Sequence, residues 1–346
     1  MALNNSHLDA LTPFWPGMNL TSQHDGKCYG NVTLCENSDV LCTLSLCDLT
    51  LAHFTYLPSL GGNAFFATLF GLCIIAQVGL GAKYKTWGYL IAACFGLVGE
   101  VIGYVGRIMM HSNPFSKNNF LIYLVCLTIA PAFLSAGIYL CLARIVVVYG
   151  EHISRFPPRV YTILFCTCDF ISLLLQAIGG AIASTANDAN TTQMGINIMI
   201  AGLAFQVFSL ALFGLLCGDF ALRVRQNRSG WNMHNGMLFR SIIFKTFLWG
   251  LGATTLTIFI RSCFRVAELS GGFHGPLANN QPTFMALEGA MVGTACLCST
   301  ILHPGIGFRG TWHDADFNFF RQKKVNNEVD NKSVRSSPST QTTEAI

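Results

Sequence analysis

The sequence predicts an all-α, polytopic membrane protein with seven transmembrane helices. Of its 346 residues, 52% are hydrophobic and only 11% are charged, whereas soluble proteins average about 25% charged residues. Seven separate segments are apolar over the roughly 20 residues that a helix needs to cross a bilayer. Basic residues collect in alternate connections between them, as in cytosolic loops. The chain thus divides into an amino-terminal segment (1–59), a transmembrane domain (60–308) and a carboxyl-terminal tail (309–346).

The seven apolar segments are separated by short polar connections. The third and the fifth are longer than one crossing requires, so we expect them to tilt or to project beyond the bilayer. The segments cover residues 60–82, 87–110, 120–149, 161–183, 194–220, 241–263 and 284–303.

The basic residues predict the orientation of the bundle, because Lys and Arg are enriched in cytosolic loops. Away from helix ends, the connections predicted to lie outside contain only Lys27 and Lys117. The chain is therefore expected to have its amino terminus outside and its carboxyl terminus in the cytosol. The predicted inner connections and tail contain Lys83, Lys85, Arg155, Arg159, Arg223, Arg225, Arg228, Arg240, Arg309, Arg321, Lys323, Lys324, Lys332 and Arg335.

The polar amino-terminal segment carries four of the fourteen cysteines, Cys28, Cys35, Cys42 and Cys47. Cysteines clustered in a polar segment favour one or two disulfides in an oxidising compartment, and four cysteines allow three full pairings. A zinc site is the competing interpretation, but neither C-x-x-C spacing nor a paired histidine is present. We expect disulfides and no metal.

Four glycosylation sequons lie in parts of the chain that this topology places outside. Three of them are in the amino-terminal segment, and the fourth is in the predicted outer loop 184–193. Asn-x-Ser/Thr is the acceptor sequence for N-linked glycans in extracytoplasmic loops. The predicted acceptors are Asn4, Asn19, Asn31 and Asn190.

The tail after residue 309 is charged and then rich in Ser and Thr. It contains too few apolar residues to repay the entropy of ordering, so we predict a disordered cytosolic tail. The net charge of +4 comes mainly from short loops between apolar segments. It therefore reflects topology and does not predict nucleic-acid binding.

Ionisable side chains inside the apolar segments are the candidate functional residues, because lipid offers them no hydrogen-bond partner. Glu100 and Arg107 are seven residues apart on one face of the second helix. Arg144 on the third helix and Asp169 on the fourth are predicted at similar depth. For these two a structural ion pair is the favoured interpretation.

Charges, glycines and aromatic residues crowd together in the stretch 261–288, between the sixth and seventh apolar segments. Arg261, Arg265 and Glu268 share one helical face, since they follow the spacing i, i+4 and i+7. Interhelical salt bridges are one interpretation of such charges, and a polar cavity that receives an amphipathic head group is the other. We favour the cavity, open to the outside or to the outer leaflet, lined by Glu100, Arg107, Gln176, Arg261, Arg265, Glu268 and Glu288.

Motifs for enzyme chemistry are absent from the sequence. It contains no H-E-x-x-H, no P-loop and no G-x-S-x-G. The sequence therefore predicts no catalytic residues, no cofactor and no metal, and any transport is not driven by ATP hydrolysis within this chain. An enzyme acting on lipids is the least favoured class.

With these residues identified, the chain resembles the fungal RTA-like family of lipid-translocating exporters, which are seven-helix membrane proteins. The resemblance extends from about residue 60 to residue 307. It is carried by IRSCFRVAELSGGFHG (260–275), GEVIGYVGRIMM (99–110), APAFLSAGIYLCLARIV (130–146) and CDFISLLLQAIGGAIAS (168–184).

The resemblance implies a fungal protein that exports or senses amphipathic lipids such as sphingoid bases and confers resistance to toxic lipids or drugs. One motif departs from the family pattern of glutamate, tyrosine four residues later and aspartate three after that. This chain has Gln281, Met285 and Glu288 at those positions. The characteristic family positions carry over to Glu100, Gly103, Tyr104, Arg107, Arg144, Asp169, Gln176, Arg261, Arg265 and Glu268.

The favoured function is translocation or export of an amphipathic lipid. Glu268 and Glu288 would attract a cationic head group, and the three arginines of the cavity would balance charge or hold phosphate. A seven-helix receptor or sensor of lipids or membrane stress is the alternative. We expect membrane lipids to be the partners and the plasma membrane to be the location, with an endomembrane or the vacuole as alternatives.

Overall fold

A computed structural model of the chain contains seven long helices. This confirms the predicted all-α transmembrane class. The structure describes residues 21–24, 27–31, 33, 35, 38–52, 54–186, 188–227, 236–272, 275, 277–309 and 312. In these ranges seven helices are long and apolar enough to cross a membrane. The orientation of the termini and the three-part division of the chain remain predictions.

The first six transmembrane helices are continuous, and the seventh is built in pieces. They are α1 (Leu60–Tyr84), α2 (Trp87–Ser112), α3 (Lys117–Tyr149), α4 (Pro158–Thr185), α5 (Ala189–Gln226) and α6 (Ile242–Ser270). The seventh, α7, spans Gln281–Gly307. It consists of an α-helical turn at Gln281–Phe284, a π-helical segment at Met285–Ala290, an α-helix at Met291–Ile301 and a last turn at Pro304–Gly307.

The helices form a closed bundle in which each packs against its neighbours in the sequence. The last helix, α7, returns to pack against α1, and α3 also reaches α6 across the bundle. Glycines bring α2 close to α3: a Cβ added at Gly103 would lie 2.4 Å from Leu127 Cδ2. This agrees with the small-xxx-small spacing of α2, which permits close helix contact.

The outward faces of the bundle are apolar. Phe65, Leu72, Ile75, Leu215 and Trp249 are each between 61% and 81% exposed. In a soluble protein such a surface would mark an interaction site, whereas a lipid bilayer solvates it. The buried side chains therefore hold the site, and the exposed apolar ones face lipid.

Part of the amino-terminal segment is ordered at the end of the bundle where α1 begins, which we call the Leu60 end. A hairpin of β1 (Ser22–His24) and β2 (Lys27–Tyr29) precedes two short helical turns, Ser38–Leu41 and Leu49–Leu51. Cys42, Cys47 and Ala52 pack against Phe115 of the connection between α2 and α3. The segment is therefore attached to the transmembrane bundle.

The structure gives information on three of the four predicted disulfide cysteines. Cys42 is disulfide-bonded to Cys47, with their Cα atoms 5.5 Å apart. Cys35 is also disulfide-bonded. The side chain of Cys28 lies outside the described residues.

The predicted glycosylation sites are accessible where the structure describes them. Asn31 and Asn190 are both exposed. Asn4, Asn19 and all of the predicted tail except Arg309 and Trp312 lie outside the described residues. Glycosylation and the disordered tail stay predictions.

Candidate functional site

Six of the seven residues predicted to line the cavity lie in one buried cluster near the Leu60 end. Glu100 and Arg107 come from α2, Arg261, Arg265 and Glu268 from α6, and Glu288 from α7. None of the six is more than 5% exposed. Their formal charges balance, with three carboxylates and three guanidinium groups. We call this set the charge cluster.

Two ion pairs join four members of the charge cluster. The Arg261 guanidinium donates from Nε to Glu288 Oε1 at 3.0 Å and also contacts this oxygen through Nη2. The same Nη2 donates to the carbonyl of Leu127 on α3. Arg261 therefore connects α6 to α7 and to α3.

Arg265 and Glu268 form the second ion pair, within one turn of α6. Arg265 Nη1 also donates to the Tyr123 hydroxyl at 3.3 Å, and Nη2 lies 3.5 Å from Thr128 Oγ1. Both of these partners are on α3. The i, i+3 and i+4 spacing of α6 thus places its charges on the face that packs inside the bundle.

Glu288 lies in the π-helical segment of α7. A π-helical turn inserts one extra residue into a helix, and such turns are frequent at functional sites. Gly289 follows it where α7 touches α1, and a Cβ at this position would lie 2.5 Å from the Phe66 ring. The π-helical turn and the small residue together let Glu288 enter the bundle, with Oε1 on Arg261.

Arg107 has no carboxylate partner among the described residues, and aromatic rings surround it instead. Its guanidinium carbon lies 3.8 Å from the ring centroid of Phe284, 4.8 Å from that of Tyr123 and 5.4 Å from that of Phe54. Its Nη2 donates to the Tyr56 hydroxyl at 2.7 Å. A desolvated cation is attracted to the faces of such rings.

Glu100 is the one acidic member of the charge cluster without an ion-pair partner in the described part of the chain. The side chain is 0% exposed. Neither of its carboxyl oxygens has a hydrogen-bond partner there. An isolated carboxylate in this environment carries a large desolvation cost, so this group requires a functional explanation.

Residues 54–59, which we call the cover segment, close the charge cluster at the Leu60 end. Phe54 is buried and packs edge-on against Phe120 and Tyr123. The backbone N–H and the hydroxyl of Thr55 donate to Asn279 Oδ1, in the connection between α6 and α7, at 2.8 and 2.9 Å. The cover segment thus bridges α2, α3 and the loop before α7.

The site is closed in this structure, whereas the sequence predicted an open polar cavity. A cavity of about 20 Å³ lies further from the Leu60 end than the charge cluster, about two helical turns from Glu100 along α2. It is lined mainly by apolar side chains that include Leu134, Phe247 and Ile258. A volume of this size holds about one water molecule. Movement of helices or of the cover segment is therefore necessary before a lipid can enter.

The seventh predicted cavity residue, Gln176, shares no hydrogen bond or ion pair with the charge cluster in the described part of the chain, and its role in ligand binding stays a prediction. Its amide nitrogen donates to Ser172 Oγ at 2.7 Å and to Gln206 Oε1 at 3.2 Å. These contacts lie between α4 and α5, because α4 packs beside α3 and α5 in the ring. Gln176 belongs to a buried polar contact between two helices.

The predicted ion pair between Arg144 and Asp169 does not form, because the two side chains lie at different depths. Asp169 is eleven residues into α4, about 16 Å, whereas Arg144 is five residues from the end of α3, about 8 Å. Asp169 instead accepts a hydrogen bond from the Tyr139 hydroxyl at 3.0 Å. Arg144 donates to the Trp312 carbonyl and lies 3.9 Å from the centroid of its ring.

Several residues of the site are not predicted by the sequence analysis. They are aromatic or neutral side chains, which carry no signal of their own in an apolar segment. Aromatic residues just before the first apolar segment were the only available hint of the cover segment. The missed residues are Phe54, Tyr56, Tyr123, Thr128, Asn279 and Phe284.

Comparison with known proteins assigns the chain to a family. The family model described as "RTA1 like protein" matches residues 93–311, which is more than half of the chain. The chain belongs to the RTA1-like family. All six residues of the charge cluster fall within the matched range of this family.

Three proteins of Saccharomyces cerevisiae are among the curated relatives of the chain. The chain is 32% identical to a protein named sphingoid long-chain base transporter RSB1, over 73% of each chain. It is 29% identical to protein RTM1, over 60% of this chain and 66% of the relative. It is 27% identical to protein RTA1, over 72% and 80%. No solved structure matches the chain.

Proposed function

We propose that the protein moves single-chain amphipathic lipids with a cationic head group, of the sphingoid-base class, across its membrane. The observation that carries this proposal is the similarity, over 73% of both chains, to a protein named sphingoid long-chain base transporter. Export is the direction proposed, with the Leu60 end facing outside as in the predicted orientation. The plasma membrane is the proposed location.

The charge cluster supports this ligand class. A sphingoid base presents an ammonium group beside hydroxyl groups, and a carboxylate without another partner is the group that best receives an ammonium ion in an apolar surrounding. Glu100 supplies such a carboxyl group. Glu288 adds a second acceptor, since its Oε2 has no hydrogen-bond partner among the described residues.

The arginines keep the remaining acidic groups of the charge cluster compensated while the ligand is absent. Arg261 holds Glu288, and Arg265 holds Glu268. Buried charges that lack such partners destabilise a fold strongly. The cover segment completes the site by separating it from the outside, and its release opens the path of the lipid.

Movement of a labelled sphingoid base between the leaflets of protein-containing vesicles tests the proposal. The base is added outside, and the fraction removable by albumin is followed over time. We expect wild-type protein to accelerate movement well above protein-free vesicles. The variants Glu288→Gln and Arg265→Ala are expected to lose at least about tenfold of the rate, since hydrogen bonds to charged groups contribute about 1.5–3 kcal/mol.

Arg155→Ala is the matched control, because Arg155 forms an ion pair with Asp219 in which its side chain is 54% exposed. We expect this variant to move lipid at the wild-type rate. Saturable binding of the base without movement would contradict translocation and favour the lipid sensor.

A further inference from the structure

The energy source of lipid movement is suggested by the one uncompensated acid in the charge cluster. We propose that the protein exchanges protons for cationic lipid, with the Glu100 carboxyl group as the site that holds either a proton or the lipid ammonium group. This inference rests on the proposed function and adds to it a second, inorganic substrate, the proton. It also assigns to Glu100 a role that the other two glutamates of the cluster do not share.

Glu100 has no guanidinium partner among the residues that the structure describes. Arg261 is bonded to Glu288 and to the Leu127 carbonyl, and Arg265 is bonded to Glu268. Arg107 is enclosed by aromatic rings and donates to Tyr56. Each cation of the charge cluster is therefore engaged elsewhere, while both Glu100 oxygens lack partners in the described part of the chain.

Charged and titratable groups on several helices interact electrostatically with Glu100. Its electrostatic neighbours are Tyr104 on α2, Cys126 on α3, Arg261 and Arg265 on α6, and Glu288 and Cys296 on α7, with Cys73 of α1 beside Cys296. The nearest other acid, Glu288, repels a second negative charge. The two arginines attract one, but they are already compensated by their own glutamates.

Burial decides the state of Glu100 when no lipid is bound. An ionised carboxylate at 0% exposure without a hydrogen bond loses its hydration and gains nothing in return. Glu100 therefore rests as the neutral carboxylic acid. The two ion pairs stay neutral as pairs and Arg107 keeps its positive charge, so the resting site has a net positive charge. A further cation is therefore repelled unless a positive charge leaves.

Lipid binding exchanges the proton of Glu100 for the positive charge of the lipid. The ammonium group enters with its charge, the O–H bond of the Glu100 carboxyl group breaks, and the proton passes to water. Hydrogen bonds from the ammonium N–H groups to the new carboxylate replace it. When the lipid leaves on the other side, the carboxylate takes a proton from that side. Each cationic lipid that crosses the membrane is thus exchanged for one proton that crosses in the opposite direction, and no net charge moves.

Glu268 and Glu288 are poor candidates for the same role. Each already has a guanidinium group within hydrogen-bonding distance in the closed structure. A proton on either would break an existing buried ion pair and leave its arginine uncompensated. The exchange therefore fits Glu100 alone among the acids of the charge cluster.

Isothermal titration calorimetry of the full chain in detergent tests this inference with a short-chain, water-soluble sphinganine. At about pH 6 the amine of this probe carries its proton, because primary amines ionise near pH 10. Titrations in two buffers that differ in ionisation enthalpy give both the affinity and the number of protons released per lipid bound. We expect about one proton released per lipid bound. The dissociation constant should also fall about tenfold for each pH unit above 6, as linkage requires for one released proton.

Two variants complete the test. Glu100→Gln keeps the shape of the neutral acid, and we expect it to bind at least tenfold more weakly, with no proton release and no pH dependence. Glu151→Gln, at an exposed turn between α3 and α4, should behave as wild type. Binding without proton release would overturn proton exchange while leaving the proposed function intact. Proton release that persists in Glu100→Gln would overturn the assignment to Glu100, and no binding by wild type would overturn both proposals.

Discussion

Replacing Arg261 by leucine is expected to lower the free energy of unfolding by about 3–5 kcal/mol, the range found when one partner of a buried ion pair is removed. Arg261 and Glu288 are 1% and 0% exposed. The variant leaves the Glu288 carboxylate without its guanidinium group and the Leu127 carbonyl without a donor. Reversible unfolding in mixed micelles, followed by circular dichroism, measures the change.

Two further variants separate the ion pair from simple loss of packing. The double variant Arg261→Leu/Glu288→Leu removes both charges, and replacing a whole buried pair by apolar residues is often neutral or stabilising. We expect it to be more stable than either single variant. Arg155→Leu breaks the exposed pair with Asp219 and should change the free energy of unfolding far less than Arg261→Leu, because solvent screens exposed ion pairs. An Arg261→Leu protein as stable as Arg155→Leu would contradict the buried pair.

Locking the cover segment is expected to stop lipid movement. Thr55 and Asn279 are joined by two hydrogen bonds across the closed site, so cysteines at both positions are the pair we choose for a disulfide cross-link, whose formation is checked by mass spectrometry. Oxidation of Thr55→Cys/Asn279→Cys should reduce movement of labelled base in vesicles to the protein-free level. Reduction should restore it.

Wild-type protein taken through the same oxidation and reduction controls for the natural cysteines, and Thr55→Cys alone controls for the loss of the threonine. Both should keep their rate in oxidising conditions. A double variant that is fully cross-linked and still moves lipid at the wild-type rate would show that the cover segment stays in place during transport.

The seven helices were predictable because each apolar segment is long enough to cross a bilayer on its own. Most of the helices are longer than predicted, because they continue through polar residues beyond the apolar segments. The sixth segment was predicted to end at residue 263, whereas α6 continues to Ser270. It can continue because Arg265 and Glu268 compensate each other inside the bundle.

The members of the charge cluster were predictable, but their pairing was not. Helical spacing alone placed Arg261, Arg265 and Glu268 on one face. The partner of Arg261 depends on the π-helical segment that carries Glu288, and the sequence gives no sign of that extra residue. Sequence also cannot tell that Arg107 is surrounded by rings, since those rings come from α3, α7 and the cover segment.

The sequence did not predict the surroundings of Gln176 or the separation of Arg144 from Asp169, for two different reasons. Gln176 and Asp169 are on α4, which borders α3 and α5 and lies away from the charge cluster. Arg144 donates a hydrogen bond to the carbonyl of Trp312, which lies beyond the last helix. The neighbours of Gln176 depend on the arrangement of the helices around the bundle. The depths of Arg144 and Asp169 depend on where α3 ends and α4 begins, and the apolar segments alone do not define these boundaries.

Photochemical labelling tests most directly the central claim, that the charge cluster receives the lipid head group. A sphingoid base with a diazirine beside its amine is photolysed with the reconstituted protein, and the labelled peptides are identified by mass spectrometry. We predict labels within residues 100–107, 261–268 and 285–290 that disappear with excess unlabelled base. Labels confined to lipid-facing side chains such as Phe65 and Trp249 and unaffected by competitor would contradict the claim.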